Sequence, residues 1–333
     1  TYSITVDAAD NRVRSFHRTT AEDTFLGDVP SAAAAVRRDR AAKLLTDTLE
    51  LKLEYVREAG GTSAVLRYLP VDTDTFYVDA ATGALLNLTE LEDQMGGWGA
   101  GGSADNTAAA ESGGSGLSPA EQAGIAQMEG VRSSAFLDQS LRAEPVYGLT
   151  EYALSSAAYR LAEQEGKEDQ VLCVLSYVRP GEEDSCSRTI TVDARTGAVQ
   201  EVFSYAPGME EGETPALTQA EAQVKAETFL SALCGGRWSA LTLYDGRDNT
   251  EDRRPYYTFT YVQQVGGIPF PENRYTVAID SRDGSVYRLD YQYDEDVTFA
   301  SSAGIVGETA ALAAWAGTYD TVLAYRLVPR PLE

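Results

Sequence analysis

The chain has one histidine, His17, and three cysteines among its 333 residues. The usual zinc sites gather several His and Cys ligands, so a single His does not supply one. No Gly-x-Ser-x-Gly elbow accompanies His17 to suggest a nucleophile–base pair. His17 sits beside Arg14 and Arg18 in an alternating run and reads as an exposed strand residue. Cys173, Cys186 and Cys234 show neither a metal spacing nor a disulfide framework. Cys173 falls in the apolar run Val171–Val178 and reads as a small core residue. If that run pairs with Arg188–Val192 as a hairpin, Cys186 lies nearer Arg179. A Cys173–Cys186 disulfide then needs a different register.

Positive charge is also scarce. Lys and Arg total 27 against 51 Asp and Glu, giving a formal net charge of −24. Phosphate recognition needs clustered Lys and Arg, which argues against nucleic acid and against an anionic membrane surface. No run approaches the ~20 apolar residues that span a bilayer, so no membrane insertion is expected. No signal peptide is visible; with the chain starting at Thr1 on a strand-like run, a processed or trimmed chain explains that as well as a cytoplasmic origin does. Neither a Gly-x-x-x-x-Gly-Lys phosphate loop nor a strand followed by Gly-x-Gly-x-x-Gly occurs. No catalytic residue, no cofactor-binding residue and no metal ligand is therefore assigned.

Repetition is what the sequence does have. One pattern recurs as ITVDAADN at Ile4–Asn11, FYVDAATG at Phe76–Gly83, ITVDARTG at Ile190–Gly197 and VAIDSRDG at Val277–Gly284. Apolar residues at its first and third positions share a face at period two, as a strand requires. The run from Asp to Gly reads as a hairpin loop built on a type I turn. The last turn residue needs positive φ, which Gly takes without a Cβ clash and Asn11 tolerates next best. Asp7, Asp79, Asp193 and Asp280 are placed to accept backbone N–H bonds within the turn.

Two strand-like runs precede the pattern, and a helix precedes those. Leu49–Arg57 and Ser63–Leu69 form one such pair, Tyr152–Leu161 and Gln170–Val178 a second, and Leu241–Tyr244 and Tyr256–Val265 a third. Thr218-Gln-Ala-Glu221 is a capping box that opens a helix with the stripe Ala222, Ala226, Phe229, Leu230 and Leu233. Ser118-Pro119-Ala120-Glu121 is another, with Pro at the first helical position. Ser31–Asp47 is rich in helix-forming Ala and Arg.

The expected fold class is α+β: tandem repeats of a helix packed on a four-stranded antiparallel meander sheet. The expected boundaries are a terminal hairpin of an incomplete module at 1–18, a first module at 28–93, and a Gly-rich linker at 94–116. A second module follows at 117–206 and a third at 214–294. Residues 305–333 supply the helix and strand (Thr321–Val328) of another incomplete module. The two incomplete ends are expected to complement each other, within one chain or by strand exchange between copies.

The third module carries the most specific stretch, Tyr256–Tyr291: an aromatic strand, Gly-Gly-Ile-Pro-Phe, then a strand ending in the Asp-to-Gly turn. It resembles the YcdB/YcdC repeat, a relative of the PepSY modules of protease propeptides. The resemblance covers Leu217–Asp294 well. It is weaker over Ala32–Glu90 and Leu117–Tyr205, which lack the Gly-Ile-Pro segment. It implies a PepSY-like fold in a bacterial secreted or cell-envelope protein that binds partners without catalysis, and it brings no catalytic motif.

The residues singled out for partner binding are Tyr257, Tyr261, Ile268, Phe270, Tyr287 and Tyr291. Alternate tyrosines of one sheet face outward, and exposed tyrosines give contact area at low entropic cost. Ile268 and Phe270 are apolar residues in a connection, where Gly266-Gly267-Ile268-Pro269 reads as a turn with a rigid exit. The acidic stretch Asp245–Asp252 has hard oxygen ligands, but no EF-hand spacing, and Arg247, Arg253 and Arg254 compete with a cation. It reads as a solvated loop. The expected partner is a protein, a peptide or a cell-wall polymer. The alternatives are a structural spacer of an anchored surface protein, or an acidic hydrolase using a carboxylate pair.

Overall fold

The computed structural model describes residues 2–6, 12–18, 31–71, 75–87, 89, 130–162, 170–181 and 186–325. In chain order the strands begin with β1 (Tyr2–Val6), β2 (Val13–Arg18), β3 (Leu51–Arg57), β4 (Ser63–Pro70), β5 (Phe76–Val78) and β6 (Leu85–Asn87). Then come β7 (Ala153–Ala162), β8 (Gln170–Val178), β9 (Ser187–Asp193) and β10 (Val199–Tyr205). The last are β11 (Leu241–Asp248), β12 (Tyr256–Val265), β13 (Ile268–Asp280), β14 (Val286–Gln292) and β15 (Thr298–Phe299). The helices are α1 (Arg38–Thr48), α2 (Ser134–Arg142), α3 (Gln219–Cys234) and α4 (Glu308–Thr318). The fold is mixed α+β, with antiparallel pairing throughout the large sheet.

The chain divides into two units. One holds Thr1–Lys52, Leu69–Thr107 and Val306–Glu333; the other holds Leu53–Tyr68 and Ala108–Ile305. In the first unit β1 and β2 pair only with each other among the described residues, and so do β5 and β6. Its helices α1 and α4 bury no residue fully. The strand expected over Thr321–Val328 is absent from its described part, 321–325. Val322, Leu323 and Tyr325 stand exposed there, and no described strand pairs with them. Residues 326–328 lie outside the described part, as do the linker 94–116, the capping box at Ser118, and the turn from Asp7 to Asn11.

The second unit is built on one eight-stranded sheet in the order β11-β12-β13-β14-β10-β9-β8-β7. Each consecutive run of four is a meander, and the two runs meet through their last strands. There Val202 of β10 faces Leu289 of β14, and Phe203 faces Arg288, antiparallel. Alternation selects the buried face: Val171, Cys173, Leu175 and Tyr177 on β8, Tyr257, Phe259 and Tyr261 on β12, and Tyr275, Val277 and Ile279 on β13. Helix α2 packs on β8, and α3 packs on β12 and β13. Into the same core α3 sends Ala222, Ala226, Phe229, Leu230 and Cys234, with Leu233 partly buried against it. That is the stripe expected from its spacing. The three cysteines are buried thiols, and Cys173 faces Val192 across the β8–β9 ladder.

The strands of the first predicted module do not make one sheet. β3 and β4 join β15 in a three-stranded sheet, while β5 and β6 form a separate ribbon. β5 and β6 are three residues each. That is shorter than an ordinary strand and gives them little ladder with which to hold a wider sheet.

Candidate functional site

The Asp-to-Gly turns are structural in every described copy. Asp79, Asp193 and Asp280 each accept the amide of the residue two further on, Ala81, Arg195 and Arg282, at 2.7, 3.0 and 2.8 Å. The amides of Gly83, Gly197 and Gly284 donate back to the same Asp carbonyls at 2.7–2.9 Å. All three glycines have φ between 75° and 80°, the left-handed region that a Cβ penalises. The row of aspartates is thus occupied with turn formation.

Most of the six residues singled out for partner binding are inside the protein. Tyr257, Tyr261, Phe270 and Tyr287 are 3, 2, 0 and 9% exposed. Ile268 and Tyr291 are half-buried. Tyr257 donates its hydroxyl to the Leu217 carbonyl at 2.8 Å, and Tyr261 to Glu227 at 3.1 Å. Burial pushes the Tyr261 phenol well above its ordinary range, and the Glu227 carboxylate adds to the shift. Tyr291 stacks on Tyr275 at 4.9 Å and donates to Gln200 at 2.6 Å, while Tyr287 stacks on Tyr256 at 4.6 Å. The expected outward aromatic face is corrected: Tyr257 and Tyr261 share a strand face with Phe259, and that face is covered by α3. The large aromatics that do face solvent on this sheet include Phe203 and Tyr205 of β10, at 50 and 55%.

Gly266 and Gly267 make a two-residue hairpin turn with φ of 60° and 87°, the type that twists with its strands. β13 then carries Ile268 and Phe270 into a small second core with Tyr55 and Ala64. The acidic stretch is also revised. Asp245–Asp248 belongs to β11, and Asp248 accepts the amide and hydroxyl of Thr250 at 2.8 and 2.6 Å. Strand pairing to β12 extends through Asp248, because Tyr257, Phe259 and Tyr261 bring their full strand length to the ladder. No group of three or more His, Cys, Asp or Glu is placed to hold a metal ion among the described residues. His17 lies on β2, opposite Ser3.

A buried arginine spans the join between the two meanders. Arg188, 3% exposed, donates from Nε to Ser204 at 2.8 Å and from Nη2 to Ser285 at 3.2 Å. Nη1 donates to the Tyr147 carbonyl, and the guanidinium lies 5.3 Å from the Tyr152 ring centre. Burial lowers its pKa, while the tyrosine and nearby carboxylates oppose that shift. This cluster ties the two runs to each other. Nothing in the local sequence marks it, because Arg188 is one of several arginines beside strands.

The outer edges of the sheet differ. β11 carries Asp245, Gly246, Arg247 and Asp248, has a bulge between Leu243 and Asp245, and donates from the Tyr244 hydroxyl to Glu54 at 2.6 Å. Charges and bulges are the usual protection of an edge. β7 has ten residues, ALSSAAYRLA, of which only Leu154 and Ala162 are partly shielded. It carries one charge, Arg160, and its single irregularity lies near its start, between Leu154 and Ser156. From Ser156 onward it runs in regular register with β8, and among the described residues its far side is unpaired. This is the candidate interaction surface.

Residues 153–294 match the family model of the YcdB, YcdC repeated domain. That stretch spans both meanders and the helix between them. The solved structures similar to this chain include the Bacillus megaterium YpeB C-terminal domain, at 15% identity and a TM-score of 0.34. The match covers 48% of this chain and 63% of that one. No curated protein matches. Among the described residues no helix is long and apolar enough to cross a membrane, which says nothing of a β-barrel.

Proposed function

We propose that this chain is a non-catalytic binding protein that captures an extended peptide segment of a partner at β7. The observation that carries this is the edge of a ten-residue strand, in regular register from Ser156 onward and bare among the described residues. Such an edge presents a row of N–H and C=O groups that an incoming strand satisfies, with side-chain contacts on alternate positions adding selectivity. Tyr159 and Leu161, 37 and 42% exposed, supply apolar contact on one face of that strand. A peptide is favoured over a wall polymer because only a polypeptide backbone repeats at the strand's own spacing.

The net charge of −24 favours a basic segment. In this reading 131–294 is a tandem pair of PepSY-like modules, each a helix on a four-stranded meander. The YcdB/YcdC match supports a bacterial secreted or envelope setting.

The test uses a decapeptide of alternating Val and Lys, titrated into the full chain and followed by amide shifts in NMR. Shifts centred on Ser156–Leu161, weakening as salt rises, are expected. Ala158→Lys combined with Leu161→Lys should abolish them while leaving the circular dichroism unchanged. Binding that survives these charges, or shifts centred elsewhere, would refute the assignment to β7.

A further inference from the structure

The seven residues after Tyr293 are held as a bound peptide is held. Asn273, 1% exposed, donates from Nδ2 to the Asp294 carbonyl at 2.8 Å and accepts the Asp294 amide at 2.9 Å. Its third bond, to Gln263 at 2.7 Å, fixes the orientation of that amide. Arg57 pairs with the Asp294 carboxylate at 2.9 Å and with Glu272 at 3.2 Å.

Farther on, the amides of Thr298 and Ala300 donate to the carbonyls of Thr62 and Ala64, both at 2.9 Å. The Ala300 carbonyl accepts from the Tyr55 hydroxyl at 3.0 Å. The Phe299 ring stands edge-on to Tyr55 at 5.0 Å and to Phe270 at 5.2 Å. Val297 packs against the same small cluster, as do Leu66, Val265 and Ile268.

The cleft has a physical origin. Between Val262 and Gln263 the β12–β13 register shifts, so Pro271, Glu272 and Asn273 lie between Phe270 and Arg274 without ladder partners. This bulge sets Glu272 against Arg57 of β3 and Asn273 against the Asp294 main chain. Most of its bonds address main-chain atoms of the segment. Three addresses are side-chain specific: the Asp294 carboxylate on Arg57, the Glu295 carboxylate on Arg237, and the aromatic ring of Phe299.

We propose that this cleft is a peptide-recognition site whose ligand is Asp294–Ala300, bound here by its own chain and exchangeable with the same segment of a second copy. The choice of a second copy rests on the match. Asp294, Val297 and Phe299 meet Arg57, the apolar cluster and the Tyr55–Phe270 pair together, and every copy carries both halves. β15 is only two residues long and pairs parallel with Ser63 and Ala64, so few ladder bonds resist its release. A tethered segment acts at roughly millimolar effective concentration, so the cis form dominates until one half is disabled.

The experiment uses two variants of the full chain. One has a defective segment, Thr298→Pro with Phe299→Ala; the other has a defective cleft, Arg57→Glu with Asn273→Ala. A fluorescein-labelled peptide of sequence Tyr293–Ser301 should bind the first saturably. It should bind the wild type at least about tenfold more weakly, because its own segment competes. Mixing the two variants should give a heterodimer by light scattering, while each alone stays monomeric.

Equal binding of the peptide to both variants, equal binding of a scrambled peptide, or no heterodimer would each overturn the proposal. If the double substitution unfolds the chain, Thr298→Pro alone removes one hydrogen bond and keeps the ring, and the same comparisons apply.

Discussion

A carboxylate in a hairpin turn can stabilise a fold or strain it, and the copies of one motif here do both. Burial pushes Asp193 upward, but the Thr196 amide and hydroxyl, Gln170 and the Arg195 amide outweigh it and hold the carboxyl below its ordinary 3.8. Asp280 is more deeply enclosed; burial and the Asp283 charge outweigh the Arg282 amide and raise it above 3.8. A lowered acid stabilises the fold above its unfolded value, and that contribution is lost as pH falls through the folded value. A raised acid does the reverse: its contribution is full at low pH and is lost as pH rises through the folded value. Asp193→Asn should therefore cost roughly 1–3 kcal/mol at neutral pH, fading in acid. Asp280→Asn keeps one acceptor for the Arg282 amide and sheds the buried charge. It should leave stability unchanged or raised at neutral pH, with the gain vanishing below about pH 4. Thermal melts of both variants across that range measure the contrast. The turn itself was legible, since Asp, Gly and their spacing act within eight residues. The environment of each Asp was not, because Asp283 and the packing around Asp280 come together only on folding. The tyrosines were misread for a related reason: alternation reports that two faces exist, not which one α3 will cover.

Among the elements, α3 was the most readable. Thr218 accepts the Glu221 amide at 3.3 Å and Glu221 accepts the Thr218 amide at 2.9 Å, the reciprocal pair expected of a capping box. Thr218→Ala should cost about 1 kcal/mol in a urea melt. A larger loss would show that the Thr218 hydroxyl carries more than the cap. β7 was located to within a residue, yet its standing as an edge was not foreseeable. Edge or centre depends on which strands pair, and β14 meets β10 across more than eighty residues of sequence. The division of β3–β6 between two sheets escaped for the same reason, since β15 arrives from the far end of the chain.

At the scale of the molecule, the packed interior is concentrated in one unit. The fully buried apolar residues lie overwhelmingly in the second unit, while α1 and α4 of the first contribute none. Local opening costs least where few apolar contacts must be broken. Amide hydrogen exchange should therefore be fast in 38–48 and 308–318. Protection should be highest in 171–177, 188–192 and 257–279. Equal protection in both sets would show that the first unit draws stability from contacts other than these helices.

The join between β10 and β14 has a consequence for numbers. Two runs that meet through their last strands use up both, so a third run has no such strand left to meet. Stacking in one direction has no such stop, because every addition offers a fresh edge to the next. Growth by the rule seen here goes by twos, and an odd run is left over. β3 and β4 lie beside β15, and β5 and β6 stand as a separate ribbon. Parity, more than length, then governs how many such runs a polypeptide can hold in sheets of this kind.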